Sequence, residues 1–247
     1  MHKIFKTGAI MLAAAWLAGC QTTAQQNIQT LGWEPGKTYT DTFKLTRYDV
    51  PLPEGEWTLV HMDFQKNNAR QTVENVSLAR SRDDIITHII ELTATQNSGA
   101  SQYSGWSNSS PCQFSTGLHE EVIKALKREH DCWTIVSDTI PPAASMNNGR
   151  SRDQALSAEA LGLKMPGATT YSYHHFAGAK HFLDIRVFTS VAEDRLIPNN
   201  KVPDDLNWVG SLKREVPDFA WPYIETTVER ARQRHPLYKA AFNASPY

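Results

Sequence analysis

The sequence has 247 residues, with 25 basic and 26 acidic side chains and a formal net charge of −1 at pH 7. A chain so close to neutrality lacks the basic excess with which proteins bind nucleic acid, so no nucleic-acid partner is expected. Beyond the first twenty residues no apolar run reaches the ~20 residues of a membrane-spanning helix, which excludes a multi-span membrane protein.

The N-terminal segment has the pattern of an export signal. Lys3 and Lys6 precede an uninterrupted apolar run from Ala9 to Ala18. This run is too short to span a bilayer and is typical of the core of a signal peptide. Residues 1–19 are therefore predicted to be a signal peptide.

The apolar run ends in Leu17-Ala18-Gly19-Cys20, which resembles the lipobox of bacterial lipoproteins. The resemblance covers residues 1–21 only. It implies cleavage before Cys20 and acylation of the Cys20 thiol, and two or more acyl chains would anchor the protein stably in a membrane. Gln21 stands where an inner-membrane retention signal would have Asp, so the resemblance implies an outer-membrane lipoprotein that faces the periplasm. The alternative is an ordinary signal peptide in which Cys20 is incidental.

The remaining cysteines and the chain after Cys20 fit this interpretation. Residues 20–32 are polar and lack an apolar period, which predicts a lipidated N-terminus followed by a flexible tether. Residues 33–247 are enough for a single periplasmic domain with its own core. With Cys20 acylated, Cys112 and Cys132 remain as a pair in an oxidising compartment, which favours a disulfide. Two free buried thiols or two thiolate metal ligands are the alternatives.

The first half of the domain is predicted to be an antiparallel β-meander. Three segments alternate between apolar and polar residues, Glu56–Phe64, Asn75–Arg80 and Ile85–Thr95, and a polar turn, Ser81–Asp84, separates the last two. In the first segment the alternation places four side chains on one face, namely Thr58, Val60, Met62 and Phe64.

The segment enclosed by the predicted disulfide has a different pattern. Apolar residues recur there at helical spacing, at Leu118, Val122, Ile123 and Leu126. This spacing predicts an amphipathic helix over Gly117–Glu129, followed by a strand over Cys132–Val136.

Two further helices are predicted. The first is capped by Ser151 or Asp153 and ends after Leu161 at Gly162. The second is a C-terminal amphipathic helix, with Pro222 in its first turn and Pro236 as its end. Its apolar face is formed by Trp221, Ile224, Val228 and Ala231. The fold class is therefore α+β, a mostly antiparallel sheet, made of a meander and a later hairpin, with packed helices.

A β-hairpin is predicted from Thr169 to Thr189. Gly178-Ala179 suits a type II′ turn, which would place Phe176 opposite His181 and leave His175 and His181 on opposite faces. A slip of one residue would instead place His175 opposite His181, where the two imidazoles could contact a metal or act as a pH switch. The first register is expected, so no metal site is predicted.

No catalytic or cofactor motif is found after residue 20. The sequence lacks G-x-S-x-G, H-E-x-x-H, a P-loop and a dinucleotide-binding glycine motif. Asp184 and Arg186 share one strand face and are expected to form an ordinary surface ion pair. Trp106, in a loop rich in Gly and Ser, and Trp208 are candidate ligand contacts, together with His175 and His181.

Two functions are compatible with these features. The first is a non-catalytic envelope module, without a cofactor, that is anchored by lipid and binds or supports an envelope protein or the cell wall. The second is an envelope hydrolase that acts on glycan or peptide through an unrecognised His/Asp site. A deep cleft lined by His, Asp or Glu would favour the hydrolase, and a flat apolar patch would favour the binding module.

Overall fold

The computed structural model describes residues 31–67, 71–96, 112, 117–126, 129–139, 149–191 and 218–245. By its contacts the chain divides into two compact units, Met1–Trp33 and Glu34–Tyr247, and the elements below lie in the second unit. The predicted signal peptide, Cys20 and most of the predicted tether lie outside the described residues. In the described part of the chain, no helix is both long and apolar enough to cross a membrane.

The described elements are ten strands and two helices. In chain order they are β1 (Thr38–Tyr39), β2 (Thr42–Lys44), β3 (Asp49–Pro51), β4 (Trp57–Lys66), β5 (Thr72–Arg82), β6 (Ile85–Thr95), β7 (His119–Leu126), β8 (Glu129–Thr139), α1 (Arg150–Ala160), β9 (Ala168–Ala177), β10 (Phe182–Ser190) and α2 (Trp221–Ala244). A short 3₁₀ turn, Asp218–Ala220, leads into α2.

Eight strands form one antiparallel sheet in the order β1-β4-β5-β6-β10-β9-β8-β7, and β2 and β3 form a separate ribbon. The sheet therefore consists of two meanders, β4-β5-β6 and β7-β8-β9-β10, which are joined where β6 pairs with β10. The prediction of a mostly antiparallel sheet with packed helices, one of them C-terminal, is confirmed in these terms, although β structure predominates.

The turn between β5 and β6 is the one predicted from the sequence. Asp83 and Asp84 have φ values of +52° and +63° and connect Arg82 to Ile85, which are paired across the hairpin. Positive φ at both central positions is the mark of a type I′ turn, whose twist matches that of the flanking strands.

The predicted face of β4 is wrong because the strand contains a β-bulge. The register shifts between Leu59 and His61, so Met62 lies opposite Val76 while Val60 packs with Ala79 on the other face. The extra residue of a bulge reverses the side-chain alternation beyond it. Strict alternation along the sequence therefore fails at this point.

The helix predicted over Gly117–Glu129 is wrong, since these residues contain β7 and the start of β8. The strand β7 pairs with β8 and lies at the end of the sheet. The register of β7 against β8 shifts between Val122 and Lys124, and most residues of β7 are exposed. A bulge on an exposed edge strand produces irregular apolar spacing, which in this segment coincides with helical spacing.

The hairpin of β9 and β10 exists, but its predicted register is wrong. Leu183, and not His181, lies opposite Phe176, and Asp184 lies opposite His175, which also excludes the slipped register. The loop has four residues, 178–181, and is closed by a 2.8 Å hydrogen bond from Gly178 N–H to the His181 carbonyl. A Cβ at Gly178 would lie 2.8 Å from the His181 ring, so glycine is needed there for close approach rather than for a type II′ turn.

The helices begin and end differently from the prediction in two respects. Gly149, and not Ser151 or Asp153, is the N-cap of α1, whereas Gly162, with φ +76°, follows its end as predicted. Pro222 occupies the first turn of α2, as predicted, but α2 continues through Pro236 to Ala244. An internal proline costs about 3 kcal/mol, and burial of Tyr238 beyond it helps to offset this cost.

The two helices cover opposite faces of the sheet. On one face, called the α2 face, Trp133 and Ile135 pack with Tyr223 and Ile224 of α2. On the other, called the α1 face, Ser77 of β5 accepts a hydrogen bond from Gln154 of α1. Helices on both sides bury the middle of the sheet.

Candidate functional site

Trp106 and Trp208, like Cys20, lie outside the described residues. The structure does place His175 and His181, in different surroundings. His181 lies in the hairpin loop and stacks on Phe242 of α2 at 4.8 Å, whereas His175 lies near the C-terminal end of β9 and is fully buried. The two histidines do not form one site.

The α1 face brings together two rows of polar side chains that cross neighbouring strands. In one row Arg186 of β10 lies between Glu91 of β6 and Tyr173 of β9. In the next row His175 lies between Asp184 of β10 and Cys132 of β8. The two rows form because side chains alternate along β9 and β10, so that every second residue of each strand lies on the same face.

His175 is held between an acid and a second imidazole. Its Nδ1 lies 2.5 Å from Asp184 Oδ1, and its Nε2 lies 3.2 Å from His130 Nδ1. Because a carboxylate can only accept, Nδ1 of His175 donates to Asp184, and which imidazole donates between His175 Nε2 and His130 Nδ1 depends on the tautomer of each ring. Burial, and then the neighbouring His175, lower the pKa of His130. His130 and His175 are called the histidine pair below.

Beside the histidine pair, on the same face of the sheet, lie four side chains that we call the rim: Glu91, Tyr173, Asp184 and Arg186. The guanidinium of Arg186 lies 3.3 Å from Glu91 and 5.2 Å from the centre of the Tyr173 ring. Burial would lower the pKa of Arg186, but Glu91 and the other neighbours raise it. The Arg186 side chain is 42% exposed, that of Asp184 19% and that of Glu91 12%, so the rim is accessible to solvent chiefly at Arg186.

A disulfide adjoins the same row. Cys112 and Cys132 are bonded, with 5.7 Å between their Cα atoms, in agreement with the pairing predicted from the cysteine count. Since Cys132 is the direct cross-strand neighbour of His175, the disulfide attaches Cys112 next to the histidine pair. This covalent link restrains the chain beside the site.

A second polar cluster lies on the α2 face and joins α2 to the sheet. We call it the α2 clamp, and it consists of Asp131, Ser172, His174, His235 and Lys239. Asp131 accepts from His235 Nε2 at 2.7 Å and from Lys239, and His235 Nδ1 lies 3.0 Å from His174 Nδ1. The far nitrogen of His174 lies 3.0 Å from the hydroxyl of Ser172.

The charges in the α2 clamp follow from its burial. Burial would raise the pKa of Asp131, but the hydrogen bonds from His235 and Lys239 outweigh it and lower this pKa. Burial, and then His235, hold the pKa of His174 well below its usual range. The clamp therefore joins a buried carboxylate and a buried imidazole, Asp131 and His174, whose pKa values are both lowered, and its hydrogen bonds attach α2 to the sheet.

In the described part of the chain, neither histidine cluster presents a nucleophile to solvent: His174 Nε2 of the α2 clamp lies 3.0 Å from the hydroxyl of Ser172, but both residues are buried. Both members of the histidine pair are buried, and Nε2 of His175 faces His130 rather than a hydroxyl or thiol group. Among the described residues no group of three or more His, Cys, Asp or Glu could hold a metal ion. The rim, by contrast, offers donors, acceptors and an aromatic ring to a ligand from solvent.

Sequence reasoning misses most of this site. Asp184 and Arg186 do share a strand face, but Asp184 pairs with His175 and Arg186 with Glu91, so the expected ion pair between them is not the principal contact of either. The sequence does not link His130 to His175, because the predicted strand begins only at Cys132. The available signal is the alternation of Tyr173 with His175 and of Asp184 with Arg186 on consecutive strands, which predicts one polar face.

Comparison with known proteins gives no family. No protein-family model and no curated protein matches the chain. Among solved structures, a transcriptional regulator of the GntR family from Enterococcus faecalis V583 is similar with a TM-score of 0.28 and 12% identity, covering 55% of this chain and 94% of that chain. A similarity at this TM-score carries no argument about fold or function, so the site is interpreted from its own chemistry.

Proposed function

We propose that the chain is a lipid-anchored protein of the bacterial outer membrane that faces the periplasm and binds a polar envelope component without catalysis. The lipobox-like Leu17–Cys20 supports the anchor, and the rim supports the binding. A cell-wall saccharide suits the rim, because carboxylates and a guanidinium can bond hydroxyl groups while the Tyr173 ring contacts a sugar face.

One observation carries this proposal: the rim is accessible whereas the imidazoles behind it are not. The Arg186 side chain is 42% exposed, but that of His175 is 1% exposed. A ligand from solvent would therefore meet the rim first and would not reach the histidine pair. The rim holds two carboxylates, Glu91 and Asp184, and one guanidinium, Arg186, which suits a neutral polar ligand better than a polyanion.

A binding measurement tests the proposal. Arg186→Ala should weaken cosedimentation of the protein with purified peptidoglycan by about tenfold or more, because a hydrogen bond to a charged group contributes about 1.5–3 kcal/mol. The matched control, Lys180→Ala, removes a positive charge from an exposed loop residue and should bind like the unmodified protein. Equal binding by both variants, or no binding by the unmodified protein, would contradict the proposal.

The alternative function, an envelope hydrolase, is favoured by one contact. Asp184 fixes the tautomer of His175, which is how a carboxylate orients a general base. If this pair is catalytic, Asp184→Asn should lower the turnover of a glycan or peptide substrate by orders of magnitude. In a binding module the same variant alters affinity only, so turnover assays on cell-wall fragments separate the two functions.

The anchor is tested independently of the ligand. In cells, Cys20→Ser should leave an unacylated precursor, because serine offers no thiol for lipid attachment. Mass spectrometry of the purified protein measures this directly. Gln21→Asp is the matched control: it should keep the lipid and move the protein to the inner-membrane fraction. A processed, lipid-bearing Cys20→Ser protein would refute the anchor.

A further inference from the structure

The strand β7 presents an open, apolar edge of the sheet. In the part of the chain that the structure describes, only β8 pairs with it. Three of its apolar side chains are exposed, Val122 by 49%, Ile123 by 55% and Leu126 by 57%. An exposed edge strand presents unpaired backbone N–H and C=O groups, which are a template for pairing with another strand. At the other end of the sheet β1 has only two residues.

The sequence of β7 is complementary to itself when read in opposite directions. About the midpoint between Val122 and Ile123, an antiparallel second copy would place Glu121 opposite Lys124 and Val122 opposite Ile123. A two-fold axis at this midpoint produces each pair twice. Glu121 and Lys124 are opposite in sign in this register, whereas Glu120 would face the uncharged Ala125.

The bulge in β7 allows Glu121 and Lys124 to be cross-strand partners in this register. Glu121 and Lys124 are three residues apart, so in a regular strand they would lie on opposite faces. In this strand Glu121 lies opposite Trp133 and Lys124 opposite Asp131, two residues apart on β8, so both belong to the α2 face. Cross-strand partners must share a face, and the register shift at Ile123 satisfies this condition for Glu121 and Lys124.

Glu121 and Lys124 already form ion pairs within the chain, but each can bind a further partner. His119 and Arg232 bond Glu121 through Oε1, which leaves Oε2 for another donor. Lys124 contacts Glu129, and an ammonium group has three donors. Their side chains are 36% and 46% exposed, so both can be reached from outside.

We propose that a second copy of this chain pairs antiparallel along β7, forming a two-fold dimer with one continuous sheet through both copies. Backbone hydrogen bonds and the apolar contacts of Val122 and Ile123 hold the two strands together. The two Glu121–Lys124 pairs fix the register. The proposal does not depend on the ligand bound at the rim.

A charge-exchange experiment on the full chain in detergent tests the proposal. The unmodified protein should be a dimer by analytical ultracentrifugation and native mass spectrometry. Glu121→Lys and Lys124→Glu should each raise the dimer dissociation constant by about tenfold or more, since like charges then face each other twice. Mixing the two variants should restore dimerisation as a heterodimer, because both interchain pairs become opposite in sign.

Glu120→Lys serves as the matched control, because Glu120 is exposed on the same strand but lies opposite Ala125 in this register. It should dimerise like the unmodified protein. The heterodimer also separates pairing from folding, since a variant that failed to fold could not be rescued by mixing. A monomeric unmodified protein, single variants that dimerise normally, or a mixture that remains monomeric would each overturn the proposal.

Discussion

Asp131→Ala is expected to lower the free energy of unfolding by about 3 kcal/mol at pH 7. The carboxylate is buried and accepts from both His235 and Lys239, which join α2 to the sheet. Removing one partner of a buried pair leaves the other groups without compensation, which costs about 3–5 kcal/mol. Lys239 is partly exposed and can be solvated by water, so the lower end of this range is expected. Urea unfolding followed by circular dichroism measures the change.

Glu129→Ala is the matched control for Asp131→Ala. Glu129 also pairs with a lysine, Lys124, but its side chain is 53% exposed. Surface ion pairs contribute about 0–1 kcal/mol, so this variant should change stability by less than 1 kcal/mol. Similar effects of the two substitutions would show that the α2 clamp does not stabilise the fold.

Glu74→Gln is expected to stabilise the protein by about 3 kcal/mol at pH 8.5 and to have little effect at pH 4.5. Burial raises the pKa of Glu74 from 4.5 to about 7, although Thr46 donates to the carboxyl group from its backbone N–H and its hydroxyl. Between these pH values the folded state holds a proton that the unfolded state has released. The free energy of unfolding of the unmodified protein therefore falls as pH rises through this window.

The amide that replaces the Glu74 carboxyl group in this variant is neutral at every pH and so avoids the cost of an ionised buried carboxylate. A shift from 4.5 to about 7 corresponds to roughly 3 kcal/mol at alkaline pH. Urea unfolding at pH 4.5 and 8.5 tests this, with Glu56→Gln as the control because Glu56 is exposed. If Glu74→Gln changed the free energy of unfolding by the same amount at both pH values, the cost of ionising the buried carboxylate would not be the cause.

The first meander could be predicted because its physical signals are local. Burial of β5 and β6 produces apolar alternation, and Asp83-Asp84 can adopt the positive φ that a tight turn requires. The predicted alternation along β4 fails at Val60, because the bulge there places the residues beyond it on the opposite face of the sheet. A bulge depends on the partner strand, so the sequence of β4 alone does not reveal it.

The second meander is harder to predict because β7 lies at the edge. In a central strand the apolar residues occupy the positions that face the core, so they alternate regularly along the sequence. Most positions of β7 are exposed instead, and the spacing of its apolar residues resembles that of a helix. Pro236 illustrates a similar limit, since packing of Tyr238 keeps α2 intact beyond a residue that usually ends helices. In both segments tertiary contacts outweigh local preference.

The site could be predicted even less well than the fold. The histidine pair forms because β8 and β9 are neighbours, in a register that sets Cys132 opposite His175 and so brings His130 within reach. A helix over Gly117–Glu129, as predicted, leaves no place for the hairpin that leads to β8. A single sequence therefore indicates a polar face at most, and not which side chains meet.

The joining of the two meanders along β6 and β10 has a consequence for the order of folding. A chain emerges from the ribosome N-terminus first, so β4, β5 and β6 are complete well before β10 is synthesised. Until then the edge of β6, with its buried Ile90 and Leu92, has no partner on the side that β10 will occupy. The pairing of Ala94 with Leu183 closes a long loop, and contacts of this kind slow folding. We therefore expect the β6–β10 junction to be the slowest pairing to form and the place where chains would exchange strands during misfolding.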